Sequence, residues 1–319
     1  QYHYPKGGTK TMVDVLVNHI LAHGGEIFNE TEVSMLNPHL KSVITKQGHE
    51  FNYKECLWAG DTMSLYSRLE DSEKLSRRAQ KAIEKRKHVI KDKKGADSIL
   101  SLYLIVKETP AFFAQNYGPH SFVTPRLEGL HTLSLEEIKD SDGHFIKDKD
   151  KLFDWVHRSL VVNTFEVSIP SLRDSQLSPE GECTLIISTL FDYHLTKHIA
   201  DCGYYDDFKT FITTSITDIF TNDIPHLHSI VRKSMIASPI TIVGRTNNHE
   251  GSVTGWSFAN KPFPAIFEFI KVSQAVKTPI PHVTQAGQWT FNPAGVPVAV
   301  LTGKLAADEV EKKLKRGYK

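Results

Sequence analysis

The stretch AGQWTFNPAGVPVAVLTGKLAADEV, Ala286 to Val310, constrains the fold more than any other part of the chain. It opens like the end of a strand, turns through glycine and proline, and closes as a helix, so a strand and a helix share one tight small-residue bend. Pro297 suits the first helical position, where its missing N–H is harmless and its fixed φ is already helical. On that placement the amides of Val298 and Ala299 point out of the helix end. Gly295, without a β-carbon, permits a left-handed backbone and close approach of another molecule. Such an end favours electron-rich oxygen through free amides and the helix macrodipole. Ala299, Thr302, Gly303 and Ala306 put small groups on one side of the helix, where a flat group can pack; a tightly packed terminal helix explains the same spacing.

The rest of the chain reads as alternating helices and strands. Apolar residues at Met12, Val13, Leu16, Val17, Ile20 and Leu21 predict a helix over Lys10 to His23, stopped by Gly24 and Gly25. EIFNETEVSML, KSVITKQGHEF and YKECLWAG predict short strands, which with the helix make one α/β unit from Gly7 to Gly60. From Glu70 to Lys94 the chain is dense in charge, which leaves two readings: a patch that grips phosphate or anionic lipid, or a solvated helix face. No aromatic residues interleave these charges, which speaks against single-stranded nucleic acid. ADSILSLYLIV, LVVNTFEVSIP and CTLIISTLF predict strands of one sheet. Between the first two, residues 133–160 read as a polar loop carrying a short helix. Tyr205 to Phe220 predicts an amphipathic helix, and Ser229 to Ile236 a strand after it.

Composition removes several classes of function. The 319 residues carry 38 Lys and Arg against 37 Asp and Glu, so no global field recruits nucleic acid or a charged membrane. The three cysteines, Cys56, Cys183 and Cys202, are odd in number and far apart, the pattern of reduced thiols in a cytosol-like compartment. No apolar run reaches 18 residues and QYHYPKGGTK has no signal-peptide character, so a soluble, cytoplasmic chain is expected. Without an initiating methionine it is expected to be a piece of a longer chain, an excised domain or a processed product.

Few clusters suggest chemistry. His194 and His198 stand at i, i+4 but lack the glutamate of a metalloprotease helix, and His226 with His228 would share a strand face; no metal site is expected from either pair. Asp174 lies in the turn-rich SIPSLRDSQLSPEG, where hydrogen bonding to local backbone is the ordinary role of an Asp. No nucleophile elbow and no phosphate-binding GxxxxGK[ST] loop occurs. No residue identifies itself as a catalytic acid or base.

Three stretches, YPKGGTKTMVDVLVNHILAHGGEI, GSVTGWSFANKPF and TPIPHVTQAGQWTFNPAGVPVAVLTGKLAADEV, together and in this order resemble the FAD-dependent phytoene desaturase, carotenoid isomerase and retinol saturase family of the amine-oxidase superfamily. The middle of the chain resembles that family's substrate region more loosely. The resemblance implies an α/β fold with an α+β substrate region: a partial, discontinuous, Rossmann-like FAD-binding domain formed by 1–69 and 239–319, with a mixed-sheet substrate domain at 70–238. It implies that Ala286, Gly287, Gln288 and Trp289 pass the FAD ribityl and pyrophosphate, and that Ala294, Gly295, Val296 and Pro297 set backbone amides at the flavin pyrimidine edge. Val33 matches an adenine contact, and Ala59 and Gly60 an exit beside the dinucleotide. Pro5, Gly7 and Gly8 match a segment near the isoalloxazine, and Gly251, Gly255 and Trp256 a loop lining the flavin-proximal cavity.

The family's GxGxxG pyrophosphate loop occurs nowhere in this sequence. The resemblance therefore implies the C-terminal portion of an FAD-dependent oxidoreductase that moves hydride between flavin and C–C bonds of an apolar substrate, of polyene or isoprenoid type. Its partners would be that substrate, a chain supplying the GxGxxG half, and a membrane touched peripherally, with no nucleic acid. Two alternatives stay open: a non-catalytic remnant or interaction subunit without FAD, and a flavoprotein that isomerises its substrate without net oxidation.

Overall fold

The computed structural model describes residues 3 to 317. In chain order it contains α1 (Lys10–Ala22), β1 (Val33–Asn37), β2 (Ser42–Thr45), β3 (Glu50–Asn52), β4 (Cys56–Trp58), α2 (Thr62–Ser67) and α3 (Arg77–Ile90). There follow β5 (Ser98–Val106), α4 (Pro110–Phe113), β6 (His120–Val123), α5 (Lys149–Val162), β7 (Phe165–Ser168), β8 (Cys183–Phe191), α6 (Tyr193–Asp201) and α7 (Tyr205–Phe220). The chain closes with α8 (Leu227–Ile230), β9 (Val231–Ala237), α9 (Pro239–Thr246), α10 (Val272–Ala275), β10 (Val283–Gln285) and α11 (Val296–Gly317). The class is mixed α/β, and none of the described helices is long and apolar enough to cross a membrane.

Contacts divide the chain into two compact units, one of residues up to Ile27 with Ser98–Ile242, the other of Phe28–Asp97 with the residues from Val243 onward. The first is built on a five-stranded sheet in the order β6-β7-β8-β5-β9, where a mixed sheet was expected; every pairing in it is antiparallel. β5 and β8 are its centre, nine residues each and paired along their whole length. Their inward side chains, Leu100, Leu102 and Leu104 against Cys183, Leu185 and Ile187, are removed from water with Phe165, Phe208, Ile212 and Phe220 from β7 and α7. Burial of that apolar surface is the main source of this unit's stability.

Several expectations are corrected here. The polar loop before β7 holds a full 14-residue helix, α5, capped by Asp148 and burying Leu152, Trp155, Val156 and Leu160; its charged outer face masked the apolar stripe. That helix takes Leu160 to Val162, which were expected to begin β7. His226 and His228 lie at a short helical turn, with no strand face to share. His194 and His198 are on a helix, α6, but His198 Nε2 is tied to the Ile146 carbonyl at 2.8 Å. Residues 26–32 form no strand. α1 belongs to the sheet unit, where the turn before it is pinned: the Gly7 amide donates to Asp174 Oδ2 at 2.7 Å. No side chain of α1 is buried.

In the second unit, β1, β2 and β3 form an antiparallel meander, and β4 pairs in parallel with β10. Leu36, Leu65, Ile83, Ile90, Trp256, Val283 and Trp289 make its core. In α3, Ile83, Arg86 and Ile90, at i, i+3 and i+7, turn inward, while Arg77, Arg78, Lys81, Glu84 and Lys85 are exposed.

The three cysteines are free thiols. Burial, with Glu55 beside it, pushes the Cys56 thiol up to about 11, and burial also pushes Cys183 up. The thiolate is the reactive form, so native protein at pH 8 is expected to label at Cys202 roughly tenfold or more faster than at the other two, with all three reacting after unfolding. Mass spectrometry of alkylated peptides reads this directly; equal native rates at Cys56 and Cys202 would contradict the packing around β4.

Candidate functional site at the carboxyl ends of two parallel strands

In sheets with parallel strands, ligands take the crevice outside the carboxyl ends, where chain leaves each strand and amides are exposed. β4 and β10 are such a pair, in register at Cys56 with Val283, Leu57 with Thr284 and Trp58 with Gln285. The Ala286 amide extends the ladder by donating to the Trp58 carbonyl at 2.9 Å. Beyond this point Ala59 and Gly60 leave β4 on one side, and Gly287 leaves β10 on the other.

Both exits are fixed by side chains. Asp61 caps α2: Oδ1 accepts from the Met63 and Ser64 amides at 2.5 and 3.2 Å, while Oδ2 accepts from the His249 amide at 3.1 Å. The Trp58 indole donates to the Asp61 carbonyl at 3.0 Å. On the other side the Gly287 amide donates to the Thr302 hydroxyl of α11 at 3.1 Å, and that hydroxyl is bonded to the Val298 and Ala299 carbonyls. Gly287 has φ +95°, and a β-carbon there would lie 3.4 Å from the Ala59 carbonyl, so the two exits approach each other as bare backbone. Asp61 and Thr302 were not identified from sequence as site-forming residues. A carboxylate just after a strand and before a helix is the signal that points to Asp61.

The bend into α11 differs in detail from the sequence expectation. The helix begins at Val296, which makes Pro297 its second residue, and the Ala299 amide is already committed to the Gly295 carbonyl at 2.9 Å. Val298, not Ala299, precedes the first helical bond. Ten residues, 286–295, separate β10 from the helix, because Trp289, Phe291 and Asn292 dip into the interior before the chain re-emerges. Gly295 has φ +141°, and a β-carbon on it would meet only Pro297 Cδ at 3.9 Å; one on Gly303, two turns on, would meet nothing within 4 Å. Gly295, Val296 and Pro297 are exposed, as are Ala59 and Gly60. Among the described residues, only Pro297 comes within 4 Å of the place a Gly295 β-carbon would take.

The residues named from the sequence separate into groups. Ala59, Gly60, Gly287, Gly295, Val296 and Pro297 border the strand ends and the bend. Gln288 is half-buried and donates to the Ser252 carbonyl at 3.3 Å. Gly251, Gly255, Trp256 and Trp289 are buried in the core: the Trp256 indole donates to the Trp289 carbonyl at 3.0 Å and the two rings meet edge to face at 4.8 Å. Val33 is half-buried in β1, opposite Thr45. Pro5, Gly7 and Gly8 belong to the other unit, in a turn closed by the Gly8 amide on the Pro5 carbonyl at 3.0 Å.

Asp174 accepts from the Gln176 amide, the local role expected of it, and also from the Gly7 amide, 167 residues away in sequence. Those amides, Gly7's first, hold its carboxyl below the usual range. The resulting stabilisation is complete above the unfolded-state value and disappears as pH falls from about 4 through the lowered native value. Among the described residues no group of three or more His, Cys, Asp or Glu is arranged to hold a metal ion.

No protein-family model matches this sequence, and no curated protein matches it. Solved structures do. An oxidoreductase from Methanosarcina mazei aligns with 96% of this chain and 55% of its own at 14% identity and a TM-score of 0.53. A triple mutant of putrescine oxidase, made in a structure-based redesign of cofactor binding, aligns with 96% of this chain and 53% of its own at 11% identity and a TM-score of 0.54. The chain spans just over half the length of these structures, and its fold is similar to the corresponding half of each.

Proposed function

We propose that this chain is the C-terminal portion of an FAD-dependent oxidoreductase of the phytoene desaturase-like type, acting on C–C bonds of an apolar substrate of polyene or isoprenoid character. The reading is carried by one observation: the carboxyl ends of β4 and β10 converge as bare backbone at Ala59, Gly60 and Gly287, with an exposed bend at Gly295 following in the same chain. A cofactor lying along that line would be held by Ala59, Gly60, Gly287 and Gln288, with Gly295, Val296 and Pro297 at its ring end. FAD held by these residues would supply redox chemistry of the hydride-transfer type.

The chain's own contribution is placement and charge. Thr302 locks Gly287 against α11, so the strand exit and the helix start keep a fixed spacing. The positive end of the 22-residue helix α11 faces the bend and favours negative charge developing there. Gln288 and Trp289, anchored behind the bend, fix the intervening loop without entering it.

Flavin retention tests the proposal. The purified chain, alone or mixed with a chain carrying the GxGxxG half, is expected to show flavin absorbance. Gly295→Val should reduce occupancy about tenfold, since a branched side chain at φ +141° is strained and occupies the space open to the ring. Wild-type occupancy in that variant would remove the bend from the site. A chain that stays colourless with every such partner would favour the interaction-subunit reading.

A further inference from the structure

A cavity of about 340 Å³ lies within the same unit, between α3, the segment 263–266 and the residues around α10 and β10, with Gln285, the last residue of β10, in its wall. Two cations line it, Arg86 and Lys277, and no acidic residue does. Arg86 is a half-buried guanidinium in the middle of α3. Its Nη1 donates to the Pro264 carbonyl at 2.5 Å, and Tyr66 is its other partner. Among the described residues no carboxylate pairs with Arg86 or Lys277. Burial pushes the guanidinium's affinity for its proton down, the mark of a charge withdrawn from water without a counter-ion.

A guanidinium has five N–H donors in a planar fork, and two acceptors leave donors over. Withdrawing such a charge from water costs several kcal/mol by the usual estimate unless an anion accompanies it. The cavity wall is mixed in character. Arg86, Lys277, the Tyr66 phenol and the Gln274 amide supply donors to the lining; Val89, Phe263 and Ile266 supply apolar surface. Gln285, also in the wall, donates through Nε2 to the Ala275 carbonyl at 2.9 Å, which fixes its amide orientation and leaves Oε1 buried and unpartnered. An anionic oxygen is disfavoured beside that acceptor, so the charged group belongs at the Arg86 and Lys277 side.

We infer that this cavity binds a phosphate monoester, its dianion between Arg86 and Lys277 and its organic part on the apolar wall. Two cations with no acid match a double negative charge, and the arginine fork matches tetrahedral oxygens. The cavity is also larger than one phosphate requires, which leaves room for the ester. This assignment stands independently of the flavin site.

Glycerol 3-phosphate is the probe, followed by phosphorus NMR line broadening and by calorimetry on the full chain. Saturable binding tighter than about 1 mM is expected. Lys277→Gln should weaken it about tenfold without changing the melting temperature of the free protein, because Lys277 is exposed and makes no ion pair among the described residues. Lys85→Gln, on the outer face of α3, should leave affinity unchanged. Arg86→Gln should abolish binding; if that variant fails to fold, the Lys277 result decides. Vesicles containing phosphatidic acid separate the sources: capture that glycerol 3-phosphate competes away identifies a lipid headgroup, and no capture identifies a soluble ester, either outcome supporting the site. Absence of saturable binding, or equal losses in Lys85→Gln and Lys277→Gln, would overturn it.

Discussion

Gly255→Ala is expected to destabilise the second unit by about 3–5 kcal/mol, the sum of overpacking and of a left-handed backbone imposed on an L-residue. The new β-carbon would lie 2.3 Å from the Gln288 carbonyl oxygen and 3.1 Å from its carbon, both backbone atoms in a buried segment, at φ +80°. Nothing nearby yields cheaply. The Gly255 carbonyl accepts from the Ala96 amide at 2.7 Å and from the Ser252 hydroxyl at 2.5 Å, and the next residue bridges to Gly95. Gly48→Ala is the comparison, since Gly48 has φ +84° with nothing within 4 Å. It isolates the backbone term, about 1 kcal/mol. Urea midpoints of the two variants give the clash by difference, and a difference below about 1 kcal/mol would mean that the Gln288 peptide moves aside.

Trp256→Ala should be comparably severe, about 3–5 kcal/mol for a large aromatic side chain removed from a core. Trp256 is fully buried, and its loss also strands the Trp289 carbonyl and the edge-to-face contact. Trp256→Phe separates the contributions: it keeps most of the apolar volume and deletes only the indole donor, which should restore more than half of the lost stability. Tryptophan fluorescence follows both, since Trp58, Trp256 and Trp289 report on this unit and Trp155 on the other. If Ala and Phe were equally destabilising, the hydrogen bond rather than the packing would hold the loop.

These two residues show where the sequence was readable and where it was not. β8 and α7 were legible almost to the residue, because a long apolar run or a strict helical stripe is a local signal that burial then rewards. α5 was underestimated because Lys149, Asp150 and Lys151 crowd its first turn directly after the charged segment before it, although the inward stripe is complete. The motif around Gly255 and Trp256 was visible as a motif, yet its burial against Gln288 and Trp289 depends on contacts more than 30 residues away in sequence, 33 for the indole bond. The bend at Gly295 was placed correctly as a helix start, whereas the commitment of the Ala299 amide depends on a one-residue difference in where the helix begins, which helix-end signals do not resolve. Arg86 was hidden among like charges; only its spacing from Ile83 and Ile90 marks the side it takes.

The parallel pairing of β4 with β10 joins two three-residue strands whose neighbours Glu55 and His282 are 227 residues apart. Closing so long a loop for so few backbone bonds is entropically unfavourable until the flanking pieces have already condensed. During synthesis β4 leaves the ribosome long before its partner exists, so the crevice cannot form until synthesis has passed Gln285. Refolding followed at His282 and Glu55 should therefore lag behind refolding followed at the β5–β8 hydrogen bonds, which makes the crevice at the β4 and β10 ends a late product of folding.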